Sequence, residues 1–186
     1  MPTYLDYYRT PEWVTRPLYQ EIWPHLSKTG TILDPCAGDG VLVEPVAPRN
    51  RVMCIDIDKE KVKILASKGF HTLQDDFRKT GYRTTDTTLI IGNPPFSQAQ
   101  AFVQACLERK QDKTWITLLM KLSLLEAKNR YKWWKNMPQR PALRILSARP
   151  SFTGDGHSDH AAYAWYIWTP KGVEISPLEW YGWEGE

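Results

Sequence analysis

The sequence predicts one α/β domain built on a doubly wound, mostly parallel sheet of seven strands, and three observations carry that prediction. Short apolar segments of strand type fall at 31–33, 51–56, 71–73, 89–92, 114–119, 142–146 and 161–168, interspersed with stretches of helical periodicity. The run at 114–119 is almost continuously apolar, as a parallel strand covered on both faces requires. Glycine, proline and acidic residues cluster just after the early strands, where open α/β sheets place their ligands.

Length and composition bound the rest. The 186 residues suit a single domain over 1–186, with no space for a separate recognition domain. With 42% hydrophobic and 24% charged residues the chain reads as globular, and no apolar stretch approaches a membrane span or a signal sequence, so the expected location is the cytoplasm and no membrane partner is expected. Cys36, Cys54 and Cys106 form neither a paired motif nor a disulfide framework and read as buried thiols; no metal site is expected. The net charge of +3 is small, but residues 121–150 hold eight Lys or Arg against Glu126 alone, a net of +7, while residues 151–186 hold one Lys and six acids, a net of −5.

In chain order, Tyr4, Tyr7 and Tyr8 precede Thr10, which is placed to cap a helix opening at Pro11 and running to about Ser27, with Val14, Leu18, Ile22 and Leu26 on its inner stripe. The first strand leads into Asp34-Pro35-Cys36-Ala37-Gly38-Asp39-Gly40, whose glycines allow a tight turn and a close backbone approach to a ligand, with a helix expected to start behind it. This loop lacks the dinucleotide pattern and the Lys and Ser/Thr of a phosphate loop, so no polyphosphate is implied. The second strand ends at Asp56, 18 residues after Gly38, where a carboxylate can accept from ribose hydroxyls. Asp58 reads as the cap of the next helix, with Val62 and Leu65 facing inward and Gly69 ending it. The third strand is followed by Asp75-Asp76-Phe77, an acidic loop with one ring.

The fourth strand ends in Gly92-Asn93-Pro94-Pro95-Phe96. Two prolines stiffen this turn and keep Asn93 out of helical geometry, so neutral acceptors and an aromatic face project from the strand's carboxyl end. An exocyclic amino group on a planar base fits such a site. Asn93-Pro94-Pro95-Phe96 resembles the catalytic motif of the amino-group methyltransferases that use S-adenosylmethionine, above all the adenine-N6 DNA methyltransferases of small phage or prophage type.

That resemblance implies a Rossmann-like class I methyltransferase sheet of seven strands whose last strand is antiparallel, with S-adenosylmethionine as cofactor. Carried onto this chain residue by residue, it implies cofactor contacts from Thr10 and Pro11, from Asp34, Pro35, Ala37, Gly38 and Gly40, from Asp56 and Ile57, from Asp76 and Phe77 on the adenine, and from Asn93. Asn93, Pro94, Pro95 and Phe96 would form the catalytic turn, and Phe152, in the loop before the last strand, a second ring on the target base.

Residues 126–141 interleave basic and aromatic side chains. On one helix Lys128, Lys132 and Lys135 would form a cationic stripe and Tyr131 and Trp134 another face, so that, with Arg130, they are candidates for contact with DNA, or with RNA. His157 and His160 read as polar surface or phosphate contacts, and Trp180 and Trp183 as rings docked from a terminal surface segment. The expected activity is methyl transfer to adenine N6 in DNA with little sequence preference, by a monomer or weak dimer in the cytoplasm of a bacterial host, with a phage-encoded enzyme as the leading expectation. Cytosine N4, RNA, protein glutamine and a silent nucleic-acid-binding subunit stay open as alternatives. Cytosine C5 is disfavoured because Pro35-Cys36 lies in the first loop rather than after the fourth strand.

Overall fold

The computed structural model describes residues 9–48, 50–82, 85–152 and 160–182. Tyr4, Tyr7, Tyr8, His157, the segment 153–159 and Trp183 lie outside the described residues. One sheet of eight strands organises the chain, in the order β3-β2-β1-β4-β5-β7-β6-β8. The strands are β1 (Thr31–Asp34), β2 (Arg51–Asp56), β3 (His71–Gln74), β4 (Thr87–Gly92), β5 (Trp115–Lys121), β6 (Ala142–Leu146), β7 (Tyr163–Trp168) and β8 (Leu178–Tyr181). The five from β3 to β5 pair in parallel, so the turns after β1, β2, β3 and β4 all emerge at one carboxyl edge. β7 runs antiparallel to both β5 and β6.

The unbroken apolar strands follow from burial on both faces. Leu89 and Ile91 of β4 pack with Val14, Leu18 and Ile22 of α1 (Glu12–Ile22), while Ile90 points to the other face with Phe102, Val103 and Cys106 of α3 (Ala99–Arg109). β7 repeats the alternation, with Tyr163, Trp165 and Ile167 on one face and Ala164, Tyr166 and Trp168 on the other. Each fully buried Leu or Ile of this kind contributes about 1.5–3 kcal/mol relative to exposure. Asp58 caps α2 (Lys59–Ser67) by accepting from the Glu60 amide at 2.8 Å, and Gly69 ends it at φ +84°.

Several expectations need correction. α1 stops at Ile22 and passes into a 3-10 turn over Trp23–His25, because Pro24 has no N–H to continue the ladder; its N-cap is Pro11, and Thr10 makes no cap bond. No regular helix follows the glycine loop. Residues 41–48 form successive turns held by Val43 and Glu44 amides on the Gly40 carbonyl, since Pro45 and Pro48 remove donors that a helix would need. The helix expected over 126–141 shrinks to α4 (Tyr131–Lys135), preceded by Ala127 at φ +129°. Pro138 and Pro141 bound it on the other side.

Finally, an eighth strand was not anticipated. β8 adds to the outer side of β6 in parallel and is held through Glu21 of α1, which pairs with Arg144 of β6 and accepts from the Tyr181 hydroxyl at 2.5 Å. Arg144 is 2% exposed, and the paired carboxylate and hydroxyl satisfy a charge that could not otherwise be buried. Trp180, expected to dock, is 60% exposed. No helix among the described residues is long and apolar enough to cross a membrane.

Candidate active site at the carboxyl edge

The turns after β1 to β4 and the segment entering α1 enclose a cleft of about 350 Å³, within the range of small-ligand pockets. Its wall is made by short backbone turns, and the reason is steric. Gly38 takes φ +55°, and its amide donates to Asp56 Oδ2 at 2.8 Å, so the first loop is drawn onto the end of β2. Asp56 Oδ1 accepts from the Asp58 amide at 2.9 Å. Gly92 lets the turn after β4 approach this loop closely, because a Cβ there would stand 3.2 Å from Cys36 Sγ and 3.3 Å from Pro35 Cδ.

Asn93 bridges the cleft to the entering segment. Its Nδ2 donates to Thr10 Oγ1 at 3.1 Å, and both residues line the cleft. Thr10 thereby orients the amide, whose oxygen is buried in the wall of the cleft. Beside it, Arg9 Nε lies 3.1 Å from Asp39 Oδ2 across the mouth.

The carboxylates differ by environment. Asp34 is fully buried at the end of β1; burial, reinforced by Asp56 and Asp39, pushes its carboxyl up to about 8 against the lowering effect of the Cys36 amide. Its Oδ2 has no hydrogen-bond partner among the described residues. Burial also raises Asp56, against two backbone amides. Asp76 goes the other way, because Arg78 grips both its oxygens at 2.7 Å. Burial, and then Asp34, holds the Cys36 thiol well above its usual range, which disfavours a thiolate nucleophile here.

Of the residues singled out from sequence, Thr10, Pro35, Ala37, Gly38, Asp56, Ile57, Asp76, Phe77, Asn93 and Pro95 line the cleft. Ile57 is 64% exposed at its mouth. The other three cofactor candidates stand outside it, as do Pro94 and Phe96 of the catalytic turn. Pro11 caps α1, Asp34 lies beneath the loop, and Gly40, at φ +84°, faces Leu65 and Phe70, where a Cβ would come within 2.9 Å of both. Phe77 is only 1% exposed, stacked on Phe102 with Arg109 over its ring. Arg78, Ser97, Gln98 and Phe102 line the cleft without having been anticipated. Arg78, Ser97 and Gln98 stand one or two positions past a motif and carry no sequence signal of their own, and Phe102 reads only as a core position of its helix.

Pro94 is buried, and Phe96 opens a 3-10 turn that turns its ring toward the other half of the sheet. There it meets Phe152 at 6.3 Å and Tyr163 at 5.2 Å between centroids, with Phe152 and Tyr163 5.1 Å apart. Lys121 Nζ stands 4.7 Å from the Phe96 centroid. Lys128, Lys132 and Lys135 are exposed, whereas Arg130 is turned back to the Ser123 and Glu126 carbonyls. Trp134 does not share an outward face with Tyr131. Its Nε1 donates to the Leu124 carbonyl at 2.9 Å and its ring stacks on Tyr166, while Tyr131 is 63% exposed. Among the described residues no group of three His, Cys, Asp or Glu side chains is placed to hold a metal ion.

No protein-family model and no curated protein sequence matches the chain. Solved structures do match in fold. A Listeria monocytogenes protein proposed to be a class I S-adenosylmethionine-dependent methyltransferase superposes with a TM-score of 0.71 at 11% identity, over 97% of this chain and 67% of that one. The methyltransferase subunit of a type I restriction-modification system from Streptococcus thermophilus gives 0.71 at 12%, over 90% of this chain and 45% of that one. An rRNA methylase from Streptococcus thermophilus gives 0.55 at 11%, over 83% and 95%. The chain thus spans less than half of the restriction-modification subunit and nearly all of the rRNA methylase. The fold is the α/β Rossmann-like methyltransferase fold, here with eight strands.

Proposed function

We propose that the chain binds S-adenosylmethionine in the cleft and transfers its methyl group to an exocyclic amino group of a nucleic-acid base, with N6 of adenine in DNA as the substrate. The observation that carries this is the position of Asn93, on a proline-stiffened turn at the carboxyl end of β4, with its amide oriented by Thr10 over the cleft.

The cleft's chemistry fits this cofactor. Five aspartates line it, Asp39, Asp56, Asp58, Asp75 and Asp76, against Arg9, Lys61 and Arg78, a net of −2. A polyphosphate would be repelled there, whereas a sulfonium and an ammonium are attracted. The backbone of 35–38 would hold the amino-acid end, with Asp34 beneath it bracing the loop through the Cys36 amide, Asp56 would hold the ribose hydroxyls, and Ile57 and Asp76 the adenine. When bound, S-adenosylmethionine supplies an electrophilic methyl group.

What the chain's own residues do is position and polarise. The base's amino nitrogen is a poor nucleophile because its lone pair is delocalised into the ring. Hydrogen bonds donated to the Asn93 oxygen and the Pro94 carbonyl draw that nitrogen toward tetrahedral geometry, and Pro94 and Pro95 keep both acceptors from retreating. No strong base is needed, since the nitrogen becomes acidic as the new bond forms and its proton can pass to the Asn93 oxygen or to water. In a duplex the base must first leave the stack, at a cost of a few kcal/mol that stacking on Phe96 offsets.

The fit of this short chain to nearly the full length of an rRNA methylase favours a second reading, amino methylation of RNA. Mass spectrometry of nucleosides from DNA and from RNA, each incubated with protein and cofactor, separates the two. N6-methyladenine in DNA is the expected product, N4-methylcytosine or methylated RNA would redirect the target, and no product together with no heat on cofactor titration would overturn the enzyme assignment.

A further inference from the structure

We infer that the outward face of α4 is a platform for unpaired nucleotides beside the target base, with Tyr131 stacking on a base and Lys128, Lys132 and Lys135 holding phosphates. This rests on the proposed function of the neighbouring site and names the form of DNA that the site takes, a single strand rather than a duplex.

Three anchors fix which side of α4 faces out. Trp134 donates from Nε1 to the Leu124 carbonyl at 2.9 Å and stacks on Tyr166 at 6.1 Å between centroids. Trp133 lies against it at 4.4 Å and packs on the same core. Arg130, at the N-cap, is tied to the Ser123 and Glu126 carbonyls. A helix advances about 100° per residue, so Tyr131, Lys132 and Lys135 fall within one arc of about 100°, opposite the two tryptophans. Tyr131 therefore shares the side of the lysines. Its ring is 63% exposed, with Lys135 Nζ 5.8 Å from its centroid. Lys128, in the turn before the helix, is exposed with Lys132 and Lys135, and residues 127–150 contain no acid to neutralise them locally.

This face stands at the catalytic edge. The Tyr166 hydroxyl donates to the Lys121 carbonyl at 3.1 Å, and Lys121 ends β5 with its ammonium 4.7 Å from the Phe96 centroid. Tyr166 and Lys121 thus join Trp134 of α4 to the catalytic turn, and nucleotides adjoining one held at Phe96 come within reach of α4. The chemistry then selects the strand. A ring stacks on a base only where the face of that base is open, and in a duplex the neighbouring pairs cover both faces. α4 is five residues, about 7.5 Å, long and too short to serve as a groove-reading helix. An acidic peptide would satisfy the lysines and leave the ring uncovered. An unpaired strand uses both, a cationic track for its phosphates and an aromatic face for its bases.

The test uses the full chain and a labelled, single-stranded, adenine-containing oligodeoxynucleotide, with binding followed by fluorescence anisotropy between about 50 and 200 mM salt. Tyr131→Ala is expected to weaken binding about 5- to 100-fold, with Tyr131→Phe close to the wild type. Lys128→Gln combined with Lys132→Gln should lower the slope of log Kd against log salt by about 1.4, the loss of two phosphate contacts, and Lys128→Arg with Lys132→Arg should keep it. KM for methyl transfer to the same oligonucleotide should move in parallel. Annealing the complementary strand should erase the Tyr131→Ala effect. The platform is overturned, with methyl transfer by the wild type still standing, if Tyr131→Ala binds the single strand as the wild type does or loses the same factor on the duplex. An unchanged salt slope in the glutamine variant, or displacement by polyglutamate as effective as by unlabelled single strand, overturns it equally. If strand binding behaves as expected and nucleoside mass spectrometry finds no methylated base, the methyl-transfer reading falls and the platform remains.

Discussion

In the half of the sheet from β3 to β4 the carboxyl edge is built from short turns, carboxylates and backbone amides; in the half from β5 to β8 it is built from rings and cations. Asp56 on the Gly38 amide and Asp76 on Arg78 typify the first, Phe96, Phe152, Tyr163 and Lys121 the second. Parallel strands joined by tight turns can present backbone donors at fixed spacing, which suits a ligand of constant shape. The antiparallel β5–β7 pairing and its long preceding connection bring large side chains together from distant positions, which suits a ligand that must be inserted and released. Asn93 sits on the seam, tied to Thr10 on one side and followed by Phe96 on the other.

Breaking the seam should have the largest effect. Asn93→Ala is expected to lower the methyl-transfer rate about 10²–10³-fold or more, the scale of losing one preorganised polar group, while cofactor affinity in calorimetry changes by only a few-fold. Equal losses in both would place Asn93 in the cofactor half alone.

Within the first half, Asp56→Ala removes the acceptor that draws Gly38 onto β2. Cofactor affinity should fall about 10–100-fold, or about 1.4–2.8 kcal/mol, with oligonucleotide affinity measured without cofactor nearly constant. A matching loss of oligonucleotide binding would erase the division between the halves.

The buried acid gives a pH signature. Asp34 titrates near 8 when folded and near 3.9 unfolded, so the folded state holds a proton that the unfolded state releases between those values. Its contribution to stability is complete below about pH 4 and declines as pH rises toward 8, by at most about 1.4 kcal/mol per pH unit. Thermal melts of the wild type should carry this downward slope between pH 5 and 8, and Asp34→Asn should flatten it. An unchanged profile would mean that Asp34 is already ionised in the fold.

The smallest effect should come from Arg78→Ala. Losing the paired guanidinium lets the Asp76 carboxyl rise from its lowered value and frees both oxygens. If Asp76 receives the cofactor's adenine, affinity should hold or tighten by up to about threefold, since partly exposed pairs are worth at most about 1 kcal/mol. A clear weakening would assign the contact to Arg78 instead.

Much of the first half was legible in the chain. Asp34 to Gly40, Asp56, Asp58 and the Asn-Pro-Pro-Phe turn stand at strand ends, caps and turn glycines, which local pattern marks even where the partner, as for Asp56 on Gly38 and Asn93 on Thr10, is distant in sequence. Where local pattern misled, a competing local rule won: Pro45 and Pro48 abolished the helix expected after the glycine loop, and Pro24 cut α1 short. The second half was hidden for a different reason. β8 is four residues long, and its anchor, Tyr181 on Glu21, spans 160 positions. Trp134 reads as amphipathic until Tyr166 and Leu124 turn it inward, and Lys121 reads as an ordinary strand terminus until Phe96 folds beneath it.

By itself, then, the sequence determined the alternation of strands and helices, the parallel half of the sheet and the turns at its carboxyl edge, because period, proline and glycine act over a handful of bonds. Only the tertiary structure decided which carboxylates are paired, which rings face solvent and which cation covers Phe96. Those outcomes depend on burial and on partners brought close by the β5–β7–β6 pairing, and no local pattern records either.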